Sequence, residues 1–244
     1  MVHDAYGDYY NNTFNSAASS TYKFIGNTTD SHGDGELIGQ DVVKLNAIQQ
    51  GLLSQPIFTT YFIGETNQTD YPPPSWFLPG GKITYGGLDP QNCGDVIAYQ
   101  ALSAATYFQF TLSGISIGKY STTQSYQVVI DVENEILGPV NLIDGIANAI
   151  GAVYSGPDEG EWQYYIDCNA TVPPLNLKIG STTLSIDAKY LITRIGGYCI
   201  VNMNTMYNGA FGPPVFLGQS LAQQYCTVFD LGNKRIGFAP MKNG

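Results

Sequence analysis

The sequence predicts an all-β protein, and three observations carry that prediction. Runs rich in Val, Ile, Tyr, Phe and Thr recur along most of the chain. Each is about four to eight residues long and bounded by Gly, Pro, Asn or Asp. Only 12% of the 244 residues are charged, whereas 18 are Tyr and 28 are Gly, so sheet surfaces and tight turns replace charged helical faces. Sustained helical spacing appears in one stretch, "GPVNLIDGIANAIGA", from Gly138 to Ala152.

The elements follow in order. Residues 1–45 are polar and Asn/Ser/Thr/Gly-rich, with β-like pieces "STYKFI" and "ELIGQDVVKL", and hold little with which to build a core of their own. In "LNAIQQGLLSQP" Leu45, Ile48 and Leu52 stand at i, i+3 and i+7, predicting a short helix that Gly and Pro separate from a strand in "PIFTTYFI". "TNQTDYPPPSWFLPGG" reads as a surface loop. From "GKITYGGLDP" onward strands are predicted in "DVIAYQAL", "YFQFTLSGISIG", "YQVVID", "WQYYIDC", "LNLKIG", "TLSI", "YCIVNM", "VFLG" and "YCTVFDLGNKRIGFAP". Among them lies the one helix, with Leu142, Ile143, Ile146, Ala147 and Ile150 on one face, Asn141 as N-cap and Gly151 as its stop.

Charge narrows the function classes. Twenty acidic residues stand against ten basic ones, and the sequence pI is near 4.4. Nucleic acid is excluded as a partner, because phosphate binding needs clustered Lys and Arg. A low pI keeps self-repulsion small in acidic surroundings, which fits an acid compartment. Four Cys and the sequons at Asn11, Asn27, Asn67 and Asn169 fit an exported chain. The opening "MVHDAYGDYY" shows neither a basic nor an apolar region of a secretory signal, so the true start is expected upstream. No apolar run reaches the roughly 20 residues of a membrane helix. His3 and His32 lack companions for a metal site or a catalytic triad, and no metal or cofactor is expected.

One stretch raises the question of chemistry. In "QVVIDVENEILGP" Asp131 follows a β-branched run and precedes a sharp turn, as the end of a buried strand would. Together with "NAIQQGLLSQPIFTTYF", "GGKITYGGLDPQNCG", "YFQFTLSGISIG", "YYIDC" and "FGPPVFLGQSLAQQYCTVFDLGNKRIGFAP", it makes the chain from Asn46 onward closely resemble the pepsin and cathepsin D family of aspartic peptidases. The resemblance implies a two-lobed β fold with a cleft between lobes, each lobe carrying one aspartate on a D-[ST]-G-[ST] loop. Two such carboxylates share a proton, so that one is a base while the other stays protonated. It further implies a protein or peptide substrate and a lysosomal or secreted location.

Carried across residue by residue, the resemblance also exposes losses. Asp131 takes the place of the second-lobe aspartate, but Val132, Glu133, Asn134 and Glu135 stand where the family has a hydroxyl residue, Gly, a hydroxyl residue and usually Ser. Val215 to Gly218 resembles the apolar-Gly strand that closes the loop from below, with Gln219 in place of the usual Asp. The first-lobe motif is absent, and Asp30 in "TTDSHG" reads as a turn residue. "FNSAASSTYK" and "HGDGELIGQDVV" resemble the approach to a shortened flap and its return strand, placing His32, Gly33 and Gly35 in that flap. Glu133 and Glu135 could suggest a replacement carboxylate pair, but nothing in their spacing fixes their separation. The implied division is a truncated N-terminal lobe, 1–95, including the flap and inter-lobe strands, and a nearly complete C-terminal lobe, 96–244.

The resemblance pairs Cys168 with Cys199, closing about 30 residues and restricting the unfolded chain. It places Cys93 and Cys226 in the sheet joining the lobes, where a second bridge is expected. Two function classes follow: an acid endopeptidase family member inactive in this form, or a noncatalytic relative that binds peptide or protein.

Overall fold

The computed structural model describes residues 23–29, 35–40, 51, 53–63, 80–104, 108–132, 134–156, 163–206 and 213–242. The helix expected over Leu45 to Leu52, most of the Pro-rich loop, His32, Gly33, Asn11 and Asn67 lie outside the described residues. By internal contacts the chain divides into Met1–Leu52 and Leu53–Gly244. In the first unit β1 (Lys23–Thr29) and β2 (Gly35–Gln40) form an antiparallel hairpin, from Thr29 opposite Gly35 to Lys23 opposite Gln40, with one irregularity between Phe24 and Gly26.

The second unit confirms the all-β expectation, with four sheets in its described residues. A four-stranded antiparallel sheet orders β14 (Thr182–Ile186), β13 (Leu175–Ile179), β7 (Gly114–Ile117) and β8 (Tyr120–Thr122). Alternation sends Leu175, Leu177, Ile179, Leu184 and Ile186 into the core, each at most 2% exposed, while the residues between them face outward. Helix α1 (Val140–Ile150) lays Leu142, Ile143, Ile146 and Ala147 into the same core. Its Gly145 is required by packing, because a Cβ there would overlap the Tyr120 ring.

The helix start corrects the sequence reading. Pro139, not Asn141, is the N-cap residue, and no side chain caps the helix. Proline's fixed φ suits the entry to a helix, a preference that cap statistics for Asn obscure. The stop at Gly151 stands: it adopts φ 78° and its N–H reaches the carbonyls of Ala147 and Asn148. Two further one-turn helices, α2 (Ala188–Leu191) and α3 (Gln219–Ala222), correct the expectation of one helix among these strands.

Another four-stranded sheet runs β11 (Val153–Ser155), β12 (Gln163–Ile166), β16 (Tyr198–Val201), β15 (Ile192–Ile195). The disulfide Cys168–Cys199 ties the end of β12 to β16. A five-stranded antiparallel sheet orders β4 (Gly81–Tyr85), β3 (Ile57–Phe62), β19 (Tyr225–Asp230), β20 (Arg235–Pro240) and β5 (Ala98–Ala101), joining early and late parts of the chain. The second expected bridge is present here, Cys93–Cys226, in a small cluster with Ala239. On the terminal strand β4, Ile83 and Tyr85 are 52% and 62% exposed, an apolar edge of the kind an unpaired sheet presents.

Candidate active site

The remaining sheet positions Asp131. Its strand order is β17 (Met203–Thr205), β10 (Ile136–Gly138), β18 (Val215–Leu217), β9 (Tyr126–Ile130), β6 (Phe110–Leu112). β18 is parallel to β9 and antiparallel to β10, so it lies between two strands that are neighbours in sequence. The chain leaving β9 at Asp131 must therefore cross over the end of β18 to reach β10. The Asp131 N–H donates to the Leu217 carbonyl at 3.1 Å, and the Gln219 N–H donates to the Asn134 carbonyl at 2.9 Å. Both bonds pin the crossing segment to the strand beneath it.

Gly218 makes that crossing possible. A Cβ there would overlap the carbonyl oxygen of Asn134 and the carbonyl group of Glu135, both backbone, which a rotamer change cannot move aside. The strand run Val128, Val129, Ile130 and the run Val215, Phe216, Leu217 pair in register, with Val128, Val129, Val215 and Leu217 buried. Asp131 thus emerges, half-buried, at the edge of a rigid platform.

Its surroundings differ from the sequence expectation in one respect. The hydroxyl at residue 132 is lost, as Val132 is 37% exposed. Yet Asn134 Nδ2 donates to Asp131 Oδ2 at 2.7 Å, so the altered loop supplies a brace of its own. The identity of Asn134 did not signal this bond by itself, because the contact forms only once the loop closes over β18. Glu133 lies outside the described residues. Glu135 is half-buried, and Asn204 of β17 hydrogen-bonds its carboxyl group. Gly35 opens β2 in the other unit. Among the described residues no group of three or more His, Cys, Asp or Glu is placed to hold a metal ion, and no described helix is long and apolar enough to cross a membrane.

Two other carboxylates are more deeply buried, Asp89 at 3% and Asp230 at 0% exposure. Burial alone would raise both, but hydrogen bonds outweigh it and hold them below the ordinary range. Asp230 accepts from Asn233 N at 3.0 Å, Asn233 Nδ2 at 2.8 Å and Arg235 Nε at 2.7 Å. Asp89 accepts from Asn92 N at 3.2 Å, Asn92 Nδ2 at 2.6 Å and Thr84 Oγ1 at 3.1 Å. Each carboxylate holds its own turn on the five-stranded antiparallel sheet.

Glu135 behaves oppositely. Burial pushes its pKa up, and the Asn204 hydrogen bond only partly offsets this. A raised folded pKa contributes stability that is present below the unfolded value, near 4.5, and lost as pH rises through the folded one. Glu135→Gln is therefore expected to raise the urea midpoint at pH 7 and to raise it less at pH 4. An equal increment at both values would contradict this.

The geometry thus consists of one aspartate braced on a strand crossing closed by an apolar-Gly strand. The model of the eukaryotic aspartyl protease family matches residues 40–241. Aspartic protease 6 of Caenorhabditis elegans is 40% identical over 200 residues, covering 80% of this chain and 48% of that protein. Aspartic protease 2 of Necator americanus is 34% identical over 201 residues, covering 82% and 44% respectively. Pepsin B of Canis lupus familiaris is 27% identical over 205 residues, covering 81% and 49%. The chain spans about half the length of the relatives it matches. Its sheet order, its crossing at Asp131 and this match together establish that the chain belongs to the eukaryotic aspartyl protease family.

Proposed function

We propose that this chain is a pepsin-like aspartic peptidase lobe that does not cleave peptide bonds by itself. In this reading residues 96–244 are the C-terminal lobe and residues 1–95 belong to the N-terminal one, with the β1–β2 hairpin as a shortened flap. Its ligand is a protein or peptide, and its setting is lysosomal or secreted. The observation that carries the reading is the sequence, in which no D-[ST]-G-[ST] motif occurs and Asp131 is followed by Val132, Glu133, Asn134 and Glu135. Asp131 stands on the crossing and accepts from Asn134, while the two buried carboxylates of the described residues, Asp89 and Asp230, are held in turns of a different sheet.

The chemistry explains why one carboxylate does not suffice. Peptide hydrolysis of this type needs one group to take a proton from water and another to give a proton to the carbonyl. Two adjacent carboxyls achieve that because they cannot both ionise. A single catalytic carboxylate supplies the base without the acid. Because Asn134 braces Asp131, the absence of a D-[ST]-G-[ST] motif from the sequence matters more than the altered loop.

Restoring the loop separates these two causes. A Val132→Thr/Glu133→Gly/Asn134→Ser variant is expected to remain as inactive on a denatured protein as the original, from about pH 3 to 7. Acid-dependent cleavage by that variant would show that the chain contains its own second carboxylate and would overturn the reading. Binding of a statine-type peptide without cleavage would favour a noncatalytic peptide-binding role.

A further inference from the structure

The turn that follows β12 presents a sequon in a form that a glycan-transferring enzyme can use. Asn169, Ala170 and Thr171 lie between Cys168 and the buried Val172. Asn169 and Thr171 are exposed, while Ala170 packs against the core and Val172 is 9% exposed. That alternation places the acceptor amide and the recognised hydroxyl on the outer side together. Asp167 shapes the turn: its carbonyl accepts from Ala170 N at 2.9 Å and its Oδ1 from Asn169 N at 2.8 Å. The Asn169 amide itself makes only a long contact, 3.3 Å, to the same oxygen.

Two neighbours strengthen the case. Cys168 and Cys199 form the adjacent disulfide, a bond that persists in the same oxidising compartment where N-glycans are added. Tyr198, next to Cys199, is 69% exposed and packs edge-on against Tyr165, leaving an aromatic surface beside the turn that a glycan would shield. Asn27 contrasts with this, because its backbone lies within the β1–β2 ladder opposite Leu37.

We propose that Asn169 is an N-glycosylation site. In the reaction Asn169 Nδ2 attacks the anomeric carbon of an oligosaccharide carried on a polyprenyl diphosphate. The new N–C bond forms as the C–O bond to the diphosphate breaks, the amide loses one proton, and the lipid diphosphate leaves. The proposal rests on the exported setting proposed above and not on the catalytic state of Asp131.

The test expresses the full chain behind a secretory leader in a eukaryotic host and recovers it from the medium, which makes its export independent of its native location. Peptide mapping after N-glycosidase treatment in heavy-oxygen water is expected to find Asn169 converted to labelled Asp. The label is expected to vanish in Asn169→Gln and Thr171→Ala and to persist in Thr171→Ser, since the enzyme accepts either hydroxyl. Should Asn169→Gln fail to fold, the Thr171 pair still decides. Unlabelled Asn169 in secreted protein whose Cys168–Cys199 bridge is intact would overturn the proposal, as would equal labelling in Thr171→Ala and Thr171→Ser.

Discussion

Gly218→Ala is expected to destabilise residues 53–244 severely. The added Cβ would enter the space of the Asn134 and Glu135 backbone where the segment after Asp131 crosses β18. Relief requires lifting the crossing, which breaks the Asp131 N–H bond to Leu217 and the Gln219 N–H bond to Asn134. It also separates β18 from β9 and β10, at the centre of a sheet whose Val128, Val215 and Leu217 are at most 1% exposed. Losses of this kind, backbone overlap plus core disruption, reach about 4–5 kcal/mol. That is a large share of the roughly 5–15 kcal/mol of a whole domain. Gly151→Ala serves as the control: it has open space and only an unfavourable φ, so about 1 kcal/mol is expected. Urea unfolding followed by circular dichroism compares them, and a Gly218→Ala protein as stable as Gly151→Ala would contradict the packing argument.

Removing the Cys93–Cys226 bridge is expected to destabilise more than removing Cys168–Cys199. The first spans 133 residues and the second 31, for which loop entropy gives about 5 and about 4 kcal/mol. Surroundings widen the gap. Cys93 and Cys226 form a small cluster with Ala239, flanked by Tyr61, Val96 and Met241, so little apolar packing remains to hold that segment once the bridge is gone. Cys168–Cys199, by contrast, reinforces strands already joined by pairing of Ile166 with Cys199 and Tyr165 with Ile200. Paired Cys→Ala variants, compared by urea midpoint, are expected to rank in that order. The reverse ranking would mean that strand pairing on β3 and β19 alone secures the first segment.

Legibility in the sequence tracked the length and purity of each run. Tyr126–Ile130 and Tyr225–Asp230 show β-branched and aromatic residues, and Leu175–Ile179 strict apolar alternation, over five or six positions, enough for a strand to declare itself. β8, β10 and β11 are three residues each, too short to show a period, and exist because a neighbour supplies their ladder bonds. The four residues of β15, "ITRI", place an exposed Arg194 between Thr193 and Ile195, again too short a pattern to mark a strand. α2 and α3 are single turns whose pattern cannot be told from a loop.

The candidate site was legible in its framework and not in its detail. Asp131 after Val128–Ile130 and Gly218 after Val215–Leu217 mark the two sides of the crossing through strand composition and one glycine. The Asn134 bond to Asp131 depends on how the loop closes over β18, which local spacing does not encode. The pairing of Glu135 with Asn204 joins residues that are far apart in sequence and meet only because β10 lies beside β17.

Asp131 is expected not to support peptide hydrolysis in this chain. Purified chain is incubated with a denatured protein from about pH 3 to 7, over a range of chain concentrations, beside an Asp131→Asn control. The expected result is no cleavage above that control at any pH or concentration. Acid-dependent cleavage that disappears in Asp131→Asn and is blocked by a statine-type transition-state inhibitor would contradict it, and a rate rising with the square of concentration would identify a second copy's Asp131 as the partner.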